Sequence, residues 1–126
     1  MSTNFFSLPP MEQTFTFSVE GDRSKVKWEG EFTYVRPTLG VRSEIYRTAA
    51  RMGGDASPFL SEEGKGLNYT LAYLRHTLTT YPKWWVDSEY GTKLVDENIL
   101  GELIRRTTDA EREWENKLKA ATPKKA

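Results

Sequence analysis

The sequence T-F-T-F-S-V-E-G at residues 14–21, followed by K-W-E-G-E-F-T-Y at residues 27–34, decides the fold. In both runs apolar and polar side chains alternate, which is typical of a strand with one buried face. The residues between the runs, Gly21–Ser24, have the composition of a turn. Together they predict an antiparallel β-hairpin over residues 14–36. The apolar rows of the two strands are Phe15, Phe17 and Val19, then Val26, Trp28, Phe32 and Tyr34.

Two residues mark special positions in the second strand. Gly30 falls in the apolar row between Trp28 and Phe32, which predicts either a bulge or the close approach of another element. Pro37 ends the strand, because proline has no N–H for the ladder of hydrogen bonds.

After the hairpin the apolar residues recur at helical spacing. This pattern predicts helices over about residues 39–52, 61–81 and 96–119, with Ser61 and Asp96 as N-caps of the second and third. Leu67, Leu71, Leu74 and Leu78 form the predicted core stripe of the second helix. The predicted fold class is therefore α+β, with an N-terminal hairpin packed against about three helices and a long C-terminal helix.

The chain divides into three predicted segments: an extended arm over residues 1–13, a single α+β domain over residues 14–120 and a short tail over residues 121–126. The arm carries Phe5, Phe6 and Leu8 before a double proline. These apolar side chains either fold back onto the core or form a docking peptide for another subunit.

Composition excludes several classes of function. The chain of 126 residues has 18 basic and 18 acidic side chains and no cysteine. Without cysteine there is no disulfide scaffold, cysteine nucleophile or thiolate zinc site. A net charge of zero argues against nonspecific nucleic-acid binding, which rests on a cationic face. No apolar run approaches membrane-spanning length or the core of a signal peptide, so we expect no membrane partner and a protein that stays in the cell that makes it.

The residue pattern also gives little support to catalysis. The chain has one histidine, His76, placed by the helical step partly toward solvent, and none of the common nucleotide, metalloprotease or hydrolase motifs. We therefore predict a protein that is not an enzyme and has no catalytic residues, no metal site and no cofactor.

The candidate partner-binding residues are apolar. Trp84 and Trp85 are adjacent in a connector over residues 83–95, and in an extended chain neighbouring side chains point to opposite sides. We expect one of them in the core and the other at a protein contact. Trp114 and Leu118 lie one turn apart on the last helix and either pack on the hairpin or meet a partner.

The order of these segments along the chain resembles that of a known protein family. The hairpin is followed by a basic helix around Arg42–Arg51, a leucine-striped helix, the sequence P-K-W-W-V at residues 82–86 and L-V-D-E-N-I-L-G-E-L at residues 94–103. Over about residues 14–118 this order resembles the small tail assembly chaperones of long-tailed bacteriophages.

The resemblance implies a non-enzymatic viral assembly factor in the host cytoplasm. Such a protein would bind the long helices of the tape-measure protein, keep their apolar stripes from aggregating and recruit tail-tube subunits during tail morphogenesis. Self-association stays open. The aromatic arm is not part of the family's pattern, which leaves an alternative: a permanent structural subunit of the virion head or tail that clasps a neighbour with Phe5, Phe6 and Leu8. A third hypothesis is a regulatory protein that binds a host protein.

Overall fold

The computed structural model describes residues 11–121 and shows the predicted α+β fold. A three-stranded antiparallel sheet in the order β1-β2-β3 packs against helices, the last of which is the longest. The elements are β1 (Glu12–Glu20), β2 (Lys27–Val35), α1 (Leu39–Gly53), a 3-10 segment (Gly54–Phe59), α2 (Glu62–Thr77), β3 (Leu78–Thr80), α3 (Lys83–Asp87) and α4 (Glu97–Ala121).

The register of the hairpin explains its apolar rows. Phe15 pairs with Phe32 and Phe17 pairs with Gly30, so the aromatic side chains share one face of the sheet. That face forms the core together with Tyr34 and residues from the helices. Thr33, expected on the polar face, is buried, because it lies between Thr14 and the added strand β3.

Side-chain caps fix where α1 and α2 begin. The Thr38 hydroxyl accepts a hydrogen bond from the Val41 N–H, and the predicted cap Ser61 accepts one from the Gly64 N–H at 3.1 Å. Each bond satisfies a backbone donor that has no partner within the helix.

The second helix is shorter than predicted. It ends at Thr77, and the next three residues form β3, which pairs with Thr33 and Tyr34 of β2. Leu78 is therefore buried in a strand rather than in a helix, and Leu67 at the other end of the expected core stripe is half exposed. The spacing of the leucines continues past the true end of the helix, so periodicity alone could not locate it.

The ends of the described chain differ slightly from the prediction. Glu12 and Gln13 belong to β1 rather than to the arm, and Ala121 belongs to α4 rather than to the tail. Phe5, Phe6 and Leu8 lie outside the described residues.

The predicted close approach at Gly30 is confirmed. A Cβ atom built at this position would lie 2.5 Å from the Pro82 Cβ, which is well inside van der Waals contact. Glycine is therefore required where the segment that leads into α3 crosses the sheet.

We predict that Gly30→Ala lowers the free energy of unfolding by about 1–3 kcal/mol, because the added methyl group must displace Pro82. Chemical denaturation followed by circular dichroism measures the change. The matched control is Gly101→Ala in α4, where a Cβ meets no atom within 4 Å. The control should gain about 0.5–1 kcal/mol from helix propensity. Equal effects of the two substitutions would contradict the close approach.

Asp96 joins the hairpin turn to the start of α4. Its Oδ1 accepts hydrogen bonds from the backbone N–H groups of Arg23 and Ser24, and its Oδ2 accepts them from the Ser24 hydroxyl and the Trp28 indole. Asp96 occupies the predicted N-cap position, since α4 begins at Glu97 and the Ile99 N–H donates to the Asp96 carbonyl. Its carboxylate, however, accepts these four bonds from the hairpin. The same bonds, led by the Ser24 hydroxyl, hold the pKa of Asp96 well below its usual range.

Side chains of α4 also cover the outer edge of β1. Arg106 donates to the Thr16 carbonyl at 3.1 Å, and Asn98 donates to the Glu20 carbonyl at 2.9 Å. Within residues 11–121 β1 has one partner strand, β2. The bonds of Met11 and Gly21 to the opposite strand show that odd-numbered residues carry the ladder, so the carbonyls of Thr16 and Glu20 face away from it. Occupied carbonyls make a strand edge a poorer template for adding another strand.

Candidate protein-binding groove

The structure places the adjacent tryptophans differently from the prediction. Residues 83–87 form the short helix α3 rather than an extended segment, so successive side chains are about 100° apart instead of opposed. Trp85 is fully buried, and its ring meets that of Phe32 edge to face at a centroid distance of 6.0 Å. Trp84 is half-buried against the sheet and donates its indole N–H to the Glu29 carbonyl. Both rings therefore have packing partners in the core.

Trp114 and Leu118 lie on the C-terminal half of α4 and are half-buried. The Arg36 guanidinium stacks 4.6 Å from the centre of the Trp114 ring, and Trp114 lines a cleft with Met11 and Gln13. The predicted binding residues within the described chain are thus in two places, the core around α3 and the far half of α4, and form no common surface.

A different surface combines exposed apolar side chains from two helices. Between α1 and the first half of α2 lies an open groove with a volume of about 510 Å³. We call it the α1–α2 groove. Small residues along the helices leave the space, and aromatic and aliphatic side chains border it. Its lining is Tyr46, Ala49, Ala50, Leu60, Glu62, Lys65, Gly66, Asn68 and Tyr69.

Stacked tyrosines form one wall of this groove. The ring of Tyr46, which is mostly exposed, lies 5.4 Å from that of Tyr69, and Tyr69 lies 6.1 Å from Tyr73. Tyr73 in turn lies 6.2 Å from the buried Tyr34. The wall is therefore continuous from the surface to the core, which restricts the side-chain motion of its exposed end.

Hydrogen bonds anchor the inner end of the tyrosine wall. The Tyr34 hydroxyl donates to Glu111 Oε1 at 2.6 Å, so its own oxygen is left to accept from the Tyr73 hydroxyl. Burial, followed by the bond to Glu111, raises the pKa of Tyr34 far above its ordinary value. Burial likewise raises the pKa of Tyr73. Both phenols stay neutral at physiological pH, so hydrogen bonds from uncharged hydroxyls hold the inner end of the wall to Glu111.

Within residues 11–121 no three histidine, aspartate or glutamate side chains come together in a way that could hold a metal ion. None of the helices in the same part of the chain combines the length and the apolar character that crossing a membrane requires.

Sequence reasoning missed the α1–α2 groove, although two signals for it are present. Tyr69 and Tyr73 are four residues apart and so share a face of α2, and Ala49-Ala50 and Gly66 supply small residues where helices can leave space. Neither signal shows that α1 crosses α2 beside these residues, because that contact depends on the tertiary fold. A comparison of the chain with protein-family models, with curated proteins and with solved structures finds no match.

Proposed function

We propose that this protein is a non-enzymatic binding protein that holds apolar segments of a protein partner, in the manner of the tail assembly chaperones that its sequence resembles. In this role it acts in the host cytoplasm, binds the tape-measure protein and meets tail-tube subunits. The observation that carries the proposal is the α1–α2 groove, an open and mainly apolar surface on a chain with no net charge.

The surroundings of the groove favour contact with apolar partner side chains. Phe59 is 87% exposed and adjoins the lining residue Leu60, and Leu67 is 51% exposed and adjoins Gly66. The groove itself brings Tyr46, Leu60 and Tyr69 together, and apolar side chains gathered in one concave surface are typical of interaction sites, whereas single exposed apolar residues are ordinary. Charged residues on the rim, Glu62 and Lys65, keep such a surface soluble when no partner is bound.

The chaperone role predicts that co-expression with the tape-measure protein of the same virus keeps that protein soluble. Tyr46→Ser combined with Ala50→Glu removes one wall and places a charge in the groove. We expect this variant to weaken binding of the tape-measure protein by about tenfold or more, because burial of large apolar side chains dominates such contacts. The soluble fraction and a pull-down from the co-expressing cells measure the effect.

Leu39→Ser is the matched control, because Leu39 is also an exposed apolar residue of α1 but does not line the groove. The proposal is contradicted when the groove variant matches the unaltered protein, or when the tape-measure protein is equally soluble alone. Mass spectrometry of purified particles addresses the alternative. Absence from particles supports a transient chaperone, and a fixed number of copies per particle supports a permanent virion subunit.

A further inference from the structure

A second cleft, with a volume of about 330 Å³, lies on another side of the α1–α2 pair. Its lining residues are Thr48, Arg51, Met52, Arg75 and His76. Among the described residues, it shares no lining residue with the α1–α2 groove and has no acidic side chain in its lining. Two arginines and a histidine thus line one cleft.

Neutral neighbours hold the two arginines in place. Arg51 donates from Nη2 to the Thr48 hydroxyl at 3.2 Å, and the Arg75 guanidinium lies 4.8 Å from the centre of the Tyr90 ring. Neither guanidinium forms an ion pair with a carboxylate within residues 11–121. Both guanidiniums therefore contact neutral groups and keep their charge, and most of their N–H donors have no partner within residues 11–121.

The Thr48 hydroxyl connects Arg51 to His76. Thr48 is buried; its oxygen accepts from Arg51 and shares a hydrogen bond of 2.7 Å with His76 Nε2. The arrangement fixes three polar side chains around the cleft before any ligand arrives, which lowers the entropic cost of binding.

The negative ends of the two helix dipoles do not cancel the positive charge of the cleft. Arg51 lies in the last turn of α1, and Arg75 and His76 lie in the last turn of α2, where cations are favoured. A helix C-terminus carries only about half a negative charge. The two C-termini together offset about one of the two arginine charges, so the cleft stays positive.

We propose that this cleft binds a phosphoryl group, as inorganic phosphate or as a phosphate monoester. The two guanidiniums supply the positive charge that attracts a phosphate dianion, and the planar N–H pairs of a guanidinium suit phosphate oxygens in bidentate geometry. The ligand displaces water from the cleft and forms no covalent bond with the protein. The site is independent of the proposed chaperone function.

The test is a titration of the full chain with inorganic phosphate at constant ionic strength, in a slightly alkaline buffer that favours the dianion. Nuclear magnetic resonance signals of the arginine Nε–H groups and of the His76 ring report binding. We expect saturable shifts at Arg51, Arg75 and His76 in the millimolar range, and none with chloride. Arg51→Gln and Arg75→Gln should each weaken binding by about tenfold, since each removes a charge-assisted contact.

Arg47→Gln is the matched control, because Arg47 also lies on α1 but pairs with Glu44. It should leave phosphate binding within about twofold of the original value. A titration with phenyl phosphate identifies the source of the phosphoryl group. If phenyl phosphate binds more tightly than inorganic phosphate does, the ligand is a phosphorylated partner; if the two bind equally, it is the free ion. The proposal is overturned when phosphate and chloride cause the same shifts, or when the Arg51 and Arg75 variants bind phosphate as the Arg47 variant does.

Discussion

Trp85→Ala should lower the free energy of unfolding by about 3–5 kcal/mol, because it leaves a large cavity in the core. The ring is fully buried and meets Phe32 and Trp84 edge to face. It also packs against the backbone at Gly91, where a Cβ would lie 2.8 Å from the ring. Urea denaturation followed by far-ultraviolet circular dichroism measures the loss.

Two further variants test the reason for this loss. Trp85→Phe should cost clearly less than Trp85→Ala, because it keeps an aromatic ring and removes an indole N–H that has no hydrogen-bond partner within residues 11–121. Trp84→Ala should also cost less, because Trp84 is only half-buried. If Trp85→Ala kept full stability and lost only partner binding, Trp85 would be a contact residue rather than part of the core.

The second large effect is expected at Asp96. Asp96→Ala removes the acceptor for two backbone N–H groups, a hydroxyl and an indole that hold the hairpin turn against α4. These donors then lose their partner in a site where the carboxylate itself is only 1% exposed. We expect the melting temperature to fall by about 10 °C, as measured by differential scanning calorimetry.

The lowered pKa of Asp96 gives this prediction a pH dependence. Because the folded pKa lies below the unfolded value of about 3.9, the carboxylate contributes its full stability above about pH 5. That contribution is lost as the pH falls through the folded pKa. Asp96→Asn should therefore flatten the acid limb of the stability curve. Asp109→Asn, which alters exposed ion pairs on the same helix, should leave that limb nearly unchanged. Identical acid limbs for all three proteins would contradict the role of Asp96.

The parts of the fold that depend on local pattern could be predicted from the sequence. Alternation over β1 and β2 defines the hairpin, and the break at Gly30 correctly indicates the approach of another element. Helical spacing and the Ser61 cap place the ends of α1, α2 and α4 within about four residues of where the structure has them. In these segments the secondary structure that the apolar pattern predicts is also the one that the residues intrinsically prefer.

The parts that depend on tertiary contacts could not be predicted in this way. Leu78 fits the helical stripe of α2, yet pairing with β2 draws it into β3. Asp96 has the sequence context of a helix cap, but the donors that occupy it come from a turn more than 70 residues earlier. The α1–α2 groove exists only because α1 and α2 meet, so no single segment encodes it.

The dependence of the hairpin on α4 has a consequence for synthesis of the chain. Ribosomes release the N-terminal elements first, so β1 and β2 emerge well before Asp96, Asn98 and Arg106. Until α4 follows, the outer carbonyls of β1 lack their donors and the turn lacks its carboxylate. The nascent hairpin is then open to pairing with strands of other nascent chains. Folding is completed only when α4 packs on the hairpin. The last quarter of the described chain thus protects the strand edge formed by the first quarter.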